Sequence, residues 1–132
     1  MIIIGDQKAI LILCMTAMLV GCSASDKPKL VMVTGTVMMD GKGLTAGSIN
    51  FHPAATNSFV KDKPSSLLQL DGSFSVKTFP FGDGVPPGSY KVTLAPELAT
   101  RISRPQYGKP ETTPWSIDVP DSGIARQEFV VK

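Results

Sequence analysis

The sequence predicts an all-β domain in which two sheets share one core. Apolar and polar residues alternate with the period of two that a half-buried strand shows, most clearly over residues 90–95. Gly, Pro, Asn and Asp interrupt the strand-like segments at short intervals from residue 30 onwards. In the same part of the chain, no ten residues free of Pro and Gly repeat apolar positions with the helical period of 3.6.

Length and charge restrict the number of domains and the kinds of partner. The chain has 132 residues, and the first 21 read as removable, which leaves enough for one ordinary domain. The formal net charge is +2, and neither sign forms a block. This balance argues against nucleic acid as a partner and against a polybasic segment that binds membranes.

The N-terminal segment has the organisation of a signal peptide. Lys8 supplies a positive charge, and residues 9–20 follow as an uninterrupted apolar run. As a helix these 12 residues span about 18 Å at 1.5 Å per residue, which is short of the hydrocarbon core of ~30 Å. Cys14 lies within the run and is expected to leave with it.

The apolar run ends in Leu-Val-Gly-Cys at residues 19–22. This phrase resembles the lipobox of bacterial lipoproteins, in which a small residue precedes the cysteine that becomes the new N-terminus. The resemblance implies cleavage after Gly21 and lipidation of the Cys22 sulfur, because only a thiol supplies the thioether. An uncleaved anchor with an incidental cysteine is the alternative. By analogy with the family, Ser23 favours sorting to the outer membrane.

Three segments follow from this interpretation. Residues 1–21 are the signal peptide, residues 22–29 are a lipidated, polar tether, and residues 30–132 are the β-sandwich domain. The protein is then expected on the cell membrane or outer membrane, facing the periplasm or the exterior. A lipidated Cys22 cannot form a disulfide, so the domain is expected to depend on packing alone.

Seven strands are expected in the domain, in the order in which alternation and turn residues occur. Asp40-Gly41 and Asp71-Gly72 are typical of tight turns, since Gly tolerates positive φ, and Asp121-Ser122-Gly123 precedes the final strand. Seven short strands with one apolar face each favour an immunoglobulin-like or prealbumin-like sandwich. The strands are predicted over residues 30–39, 48–52, 67–70, 73–78, 90–95, 115–119 and 127–131.

Several phrases between residues 33 and 95 occur in an order that resembles the carboxypeptidase regulatory-like domain, a transthyretin-like sandwich. They include Asp-Gly-Ser-Phe at residues 71–74 and Pro-Gly-Ser-Tyr at residues 87–90. Leu70 departs from the family, which usually has Thr before the Asp-Gly turn. The resemblance implies a mostly non-catalytic module with no catalytic residues and no cofactor.

The Pro-Gly-Ser-Tyr phrase predicts a structural turn. Pro87 pre-sets φ and Gly88 relaxes the turn, so that the chain enters the next strand sharply. The ring of Tyr90 is expected to be buried, with its hydroxyl bonded to a nearby backbone group, as in tyrosines at sandwich corners.

Histidine and aspartate positions offer few candidates for chemistry. His52 is the only histidine and is predicted on the solvent face, where no base partner or nucleophile is indicated. Asp40, Asp71 and Asp83 each precede Gly, which is typical of turns, and none shows the acidic spacing of a calcium loop. No metal site and no enzyme activity are predicted. The transthyretin-like fold also hosts 5-hydroxyisourate hydrolase, which needs several histidines.

The long segment over residues 96–114 is the candidate contact loop. It exceeds the usual length of a structureless connection, and such loops often carry function. The alternative is a Pro-stiffened crossover with its aromatic residues packed over the core. The candidate contact residues are Arg101, Arg104, Tyr107, Lys109 and Trp115.

Two functions of different classes follow. The first is an envelope lipoprotein whose sandwich makes protein contacts or holds a structural position. The second is a carbohydrate-binding module at the cell surface, which needs exposed aromatic rings, and only Tyr107 and Trp115 qualify by sequence position. The expected partners are therefore the membrane, through the lipid, and an envelope protein or a glycan.

Overall fold

A computed structural model describes residues 27–132, which form two open β sheets around one core. The all-β fold class predicted from the alternation is thereby confirmed, and the arrangement is sandwich-like. The predicted signal peptide, Gly21, Cys22 and the first part of the tether lie outside the described residues. Among the residues that are described, no helix has the length and apolar character needed to cross a membrane.

The two sheets contain more strands than the sequence indicated. Three of them, β2, β6 and β7, are two residues long, too short for a period of two to show in the sequence. The strands are β1 Val33–Met39, β2 Lys42–Gly43, β3 Ser48–Pro53, β4 Ser65–Leu67, β5 Ser73–Ser75, β6 Lys77–Thr78, β7 Gly82–Asp83, β8 Gly88–Leu94, β9 Ser116–Val119 and β10 Ile124–Val131.

The four-stranded sheet has β1 at its centre. β10 runs parallel to β1 on one side, and β2 and β5 pair antiparallel with successive parts of the other side. A register shift lies between Val33 and Gly35, opposite the bulge at Arg126, whose φ is 61°. The six-stranded sheet has the order β7-β6-β4-β3-β8-β9.

The Asp71-Gly72 turn forms as predicted, but its two arms join different sheets. Asp71 Oδ1 accepts a hydrogen bond from the Ser73 backbone N–H at 2.9 Å, and Gly72 has a φ of 85°. β4 before the turn belongs to the six-stranded sheet, whereas β5 after it pairs with β1. The predicted single strand over residues 73–78 is also divided, because β6 returns to the six-stranded sheet. Alternation reports which face of a strand is buried and not which sheet the strand joins.

The apolar faces predicted from alternation form the core. Phe74 and Val76 share a buried face, and Tyr90, Val92 and Leu94 are buried along β8. Burying one large apolar side chain is worth roughly 1.5–3 kcal/mol, so these positions dominate the stability of a domain without a disulfide. The largest fully buried side chains also include Phe51, Ile49, Leu98, Val33 and Val37.

Strand directions place the loops at two opposite ends. β1 and β10 are parallel and β5 opposes them, so the starts of β1 and β10 and the end of β5 meet at one end. Val31 pairs with Val85 there, which joins the loop before β8 to the same end. The candidate contact loop of residues 96–114 follows β8 and therefore lies at the opposite end of the domain. We call the end at which β1 and β10 begin the N-terminal end of the domain. It comprises residues 27–32, 54–64, 77–87 and 120–123.

Candidate functional site

The predicted contact loop over residues 96–114 contains two short helices. Helix α1, Pro96–Arg101, begins with a proline, which suits this position because an N–H in the first turn has no partner within the helix. The helix buries Leu98 and Ala99. A 3₁₀ helix, Pro105–Gly108, follows and buries Tyr107. Sequence periodicity could not reveal either helix, because six residues of α-helix and four residues of 3₁₀ helix each span fewer than two turns.

Tyr107 and Trp115 belong to the core, which corrects the expectation that their rings face a ligand. Their exposed fractions are 3% and 8%. The Trp115 ring lies 4.7 Å from the Tyr107 ring and 5.0 Å from the Phe129 ring, measured between centroids. Trp115 Nε1 donates to the Val130 carbonyl at 3.3 Å, and Tyr107 Oη accepts from the Lys132 backbone N–H at 3.0 Å. Neither ring is available to stack on a sugar.

The basic residues of the same segment do not converge on a common pocket. Arg101 Nη2 donates to the Ala46 carbonyl at 2.9 Å, and Arg104 Nε donates to the Lys132 carbonyl at 2.9 Å. Both guanidinium groups therefore tie this segment to neighbouring backbone. Lys109 is exposed.

The predicted turn before β8 is built around Tyr90. Its ring is 3% exposed, and its hydroxyl donates to the Pro86 carbonyl, which is the bonded arrangement expected from the sequence. Pro87 is half-buried. A Cβ on Gly88 would lie 2.6 Å from the Asn57 side chain, which bonds both the N–H and the carbonyl of Ser89. Gly88 therefore leaves room for the loop that closes over this turn.

Replacing Tyr90 with Phe is expected to lower the free energy of unfolding by about 1 kcal/mol, the net worth of one hydrogen bond. Urea denaturation of both proteins measures the difference. Burial raises the pKa of the Tyr90 hydroxyl to about 12, above its ordinary value of 10.0. The unfolded chain therefore loses this proton first, and the contribution of Tyr90 falls as the pH rises from 10 towards 12.

The Phe variant also serves as the control for this pH dependence. Because it has no hydroxyl at position 90, its alkaline loss of stability should be smaller than that of the original protein. Equal melting curves at neutral pH, or an unchanged alkaline profile, would contradict the assignment of the hydroxyl.

His52 is half-buried and not freely exposed on the solvent face. Its Nε2 lies 2.8 Å from the Oγ1 of Thr93, which the alternation placed on the solvent side but which is 2% exposed. Burial lowers the pKa of His52, the positive charge of Lys63 lowers it further, and Glu111 opposes both. Within residues 27–132 no group of three His, Cys, Asp or Glu residues could hold a metal ion.

The three Asp-Gly pairs occupy turns or a strand end. Asp40 has a φ of 54° in the turn after β1. Hydrogen bonds from Ser73 lower the pKa of the Asp71 carboxyl, which therefore stays charged in the turn. Asp83 lies in β7 and faces Lys77 at 3.8 Å in an exposed ion pair. These contacts assign the pairs to local structure.

A groove that the sequence did not indicate lies along the side of the domain where β4 and β5 approach. It encloses about 600 Å³. Leu67 and Phe79 lie on its rim with exposed fractions of 71% and 83%, although apolar side chains of this size are usually buried. The lining residues are Ser65, Ser66, Leu67, Gln69, Ser73, Phe74, Ser75, Lys77 and Phe79.

The groove lies between β4 and β5, which belong to different sheets and have little strand pairing on the sides that face each other. In the part of the chain that the structure describes, β4 pairs with β6 only at Ser65, and β5 pairs with β1 on one side. The Ser75 N–H donates to Ser66 Oγ at 3.2 Å, which joins the two strands by a side chain. Sequence reasoning missed this site because sheet order decides which edges remain unpaired. The available clue was Leu67 beside Leu68, since one of two consecutive strand residues faces outwards.

No family model, curated protein sequence or solved structure matches this chain.

Proposed function

We propose that this protein is a non-catalytic envelope lipoprotein, held to the membrane by lipid on Cys22, whose groove binds an extended segment of another envelope protein. We assign the sandwich to the carboxypeptidase regulatory-like class on the phrases between residues 33 and 95. The single observation that carries the binding role is the groove with exposed Leu67 and Phe79.

The anchor is supported by the order of residues before the domain. An apolar run too short to span a bilayer ends in Leu-Val-Gly-Cys, and a polar stretch over residues 23–29 follows. Each buried methylene of an acyl chain contributes about 0.8 kcal/mol, so two or more chains hold a protein stably at a membrane.

The binding role is supported by the chemistry of the groove. Exposed apolar side chains at a concave surface gain free energy when a partner covers them. An extended segment can also add to the edge of a sheet through its backbone, and β4 leaves such an edge beside the groove because it pairs with β6 only at Ser65. Leu67 and Phe79 would then contact alternate side chains of the bound segment.

A glycan is the second candidate for the same groove. The ring of Phe79 is 83% exposed, and several serine hydroxyls line the surface beside it. Aromatic faces stack on sugars, and hydroxyl groups bond to them. Phe79 takes over the role that the sequence had offered to Tyr107 and Trp115.

The anchor is tested by the intact mass of the protein isolated from its native host. We expect a chain that begins at Cys22 and carries the added mass of acyl groups. A free thiol at position 22 would remove the membrane address from the proposal and leave the groove untouched.

The groove is tested with a photo-crosslinking residue at Leu67, irradiated in intact envelopes. We expect one or a few defined protein adducts that disappear when Phe79→Ser is added. The matched control carries the crosslinker at Leu70, which is 92% exposed but does not line the groove. Identical adducts at positions 67 and 70 would contradict a binding groove.

A binding assay on a glycan array distinguishes a glycan from a protein segment as the ligand of the groove. Binding that Phe79→Ser abolishes, together with no protein adduct at position 67, would replace the protein partner with a sugar.

A further inference from the structure

We propose that the N-terminal end of the domain rests on the anionic surface of the bilayer that holds the anchor. This inference depends on the proposed lipidation of Cys22. It adds that the domain has one preferred orientation on the membrane, with the candidate contact loop of residues 96–114 directed away from it.

The length of chain before the domain limits the distance between the two. Val31 is fixed in the fold by two backbone hydrogen bonds to Val85, at 2.9 and 2.8 Å, and a Cβ on Gly84 would lie 2.9 Å from Leu30. Leu30 is the eighth residue after Cys22, so the chain between the two reaches at most about 28 Å when fully extended. The N-terminal end is therefore the part of the domain that the anchor holds nearest to the lipid.

Exposed apolar side chains are concentrated at this end. Of six large apolar side chains that are exposed in the described part of the chain, three belong to it: Met32 at 52%, Val60 at 50% and Phe79 at 83%. Phe79 also lines the groove, so the membrane contact proposed here is assigned to Met32 and Val60. Val60 follows Phe59, whose ring packs edge-on against Phe81 with 5.8 Å between centroids. This ring pair fixes the loop that carries Val60, so the apolar side chain is presented to solvent by a supported loop.

Lysines outnumber aspartates at the same end of the domain. The N-terminal end contains five lysines and three aspartates, which come from segments distant in sequence. Two of these lysines form exposed ion pairs, Lys29 with Asp121 at 3.9 Å and Lys77 with Asp83 at 3.8 Å. Lys61 and Lys63 are both exposed and follow Val60 closely. Lysines near a membrane surface are attracted to anionic headgroups within about one Debye length. An exposed apolar side chain followed closely by exposed lysines matches the interface of an anionic bilayer.

The full acylated protein in vesicles tests the orientation. A fluorophore is attached at Ser58→Cys, in the loop of Val60, or at Lys42→Cys, in β2 at the opposite end. The vesicles contain phosphatidylglycerol and brominated lipid, which quenches fluorophores near the acyl chains. We expect quenching at position 58 and background quenching at position 42.

Variants identify the groups responsible. Val60→Ser combined with Lys61→Gln and Lys63→Gln should abolish the difference in quenching between positions 58 and 42. Leu70→Ser, which removes an exposed apolar side chain at the opposite end, should preserve that difference. Salt at ~1 M, where the Debye length is ~3 Å, should weaken the quenching at position 58.

The intact mass separates the two proposals. A chain that lacks acyl groups contradicts the proposed anchor. An acylated chain that is quenched equally at positions 58 and 42, or whose quenching survives the triple substitution, overturns the orientation and leaves the anchor in place.

Discussion

Replacing Trp115 with Ala is expected to lower the free energy of unfolding by about 3–5 kcal/mol, the range for removing a large aromatic side chain from a core. The Trp115 ring stands between the rings of Tyr107 and Phe129, and Phe129 stacks on Phe74 at 6.1 Å. These four rings connect the segment after β8 to the four-stranded sheet. The midpoint of urea denaturation, with an unchanged slope, measures the loss.

Trp115→Phe provides the matched control for this prediction. It keeps an aromatic ring but removes the Nε1 donor to the Val130 carbonyl, so its loss should be well below that of the Ala variant. A ring that served mainly as a ligand contact would give the opposite pattern, with lost binding and nearly normal stability. That result would contradict the assignment of Trp115 to the core.

Replacing Gly35 with Ala is expected to cost about 3 kcal/mol or more, at or above the usual upper limit for overpacking. A Cβ at this position would lie 2.0 Å from the Gln127 carbonyl oxygen and 2.8 Å from Cζ of Phe74. The first atom belongs to backbone of the paired strand β10, so the clash cannot be relieved by rotating a side chain. Thermal and urea denaturation both report the effect.

Gly41→Ala is the control that distinguishes the steric clash at position 35 from the general cost of replacing a glycine. Gly41 has nothing within 4 Å of its added Cβ, but its φ is +78°. We expect a loss of about 1–2 kcal/mol, which is the cost of placing an L-residue in the left-handed region. Losses of equal size at positions 35 and 41 would show that close approach of β10 does not explain Gly35.

Local residue patterns predicted those parts of the fold that depend on neighbours in sequence. The alternation along β8 identified Tyr90, Val92 and Leu94 as core residues, and the phrase before it predicted the bonded Tyr90 hydroxyl. The Asp71-Gly72 turn followed from the φ that Gly permits. Each of these features involves groups within a few residues of one another, so the sequence contains the necessary information.

The positions of the candidate functional residues depend on contacts that the sequence does not display. Trp115 and Tyr107 have the composition of a binding surface, yet they are buried because Phe129 comes from a strand at the end of the chain to pack against them. The groove arises where β4 and β5, adjacent in sequence, join different sheets. Leu67 was therefore predicted only as part of a strand, and its exposure followed from the order of the strands.

The amino-acid sequence by itself determined the β character of the domain, the buried apolar faces of its clearest strands and its tight turns, because side-chain direction along a strand and the φ preference of Gly are local properties. Tertiary structure alone decided which strand edges stay unpaired, which aromatic rings reach solvent and which distant lysines lie at the same end. Those outcomes depend on long-range pairing, whose partners are set by the packing of the whole domain.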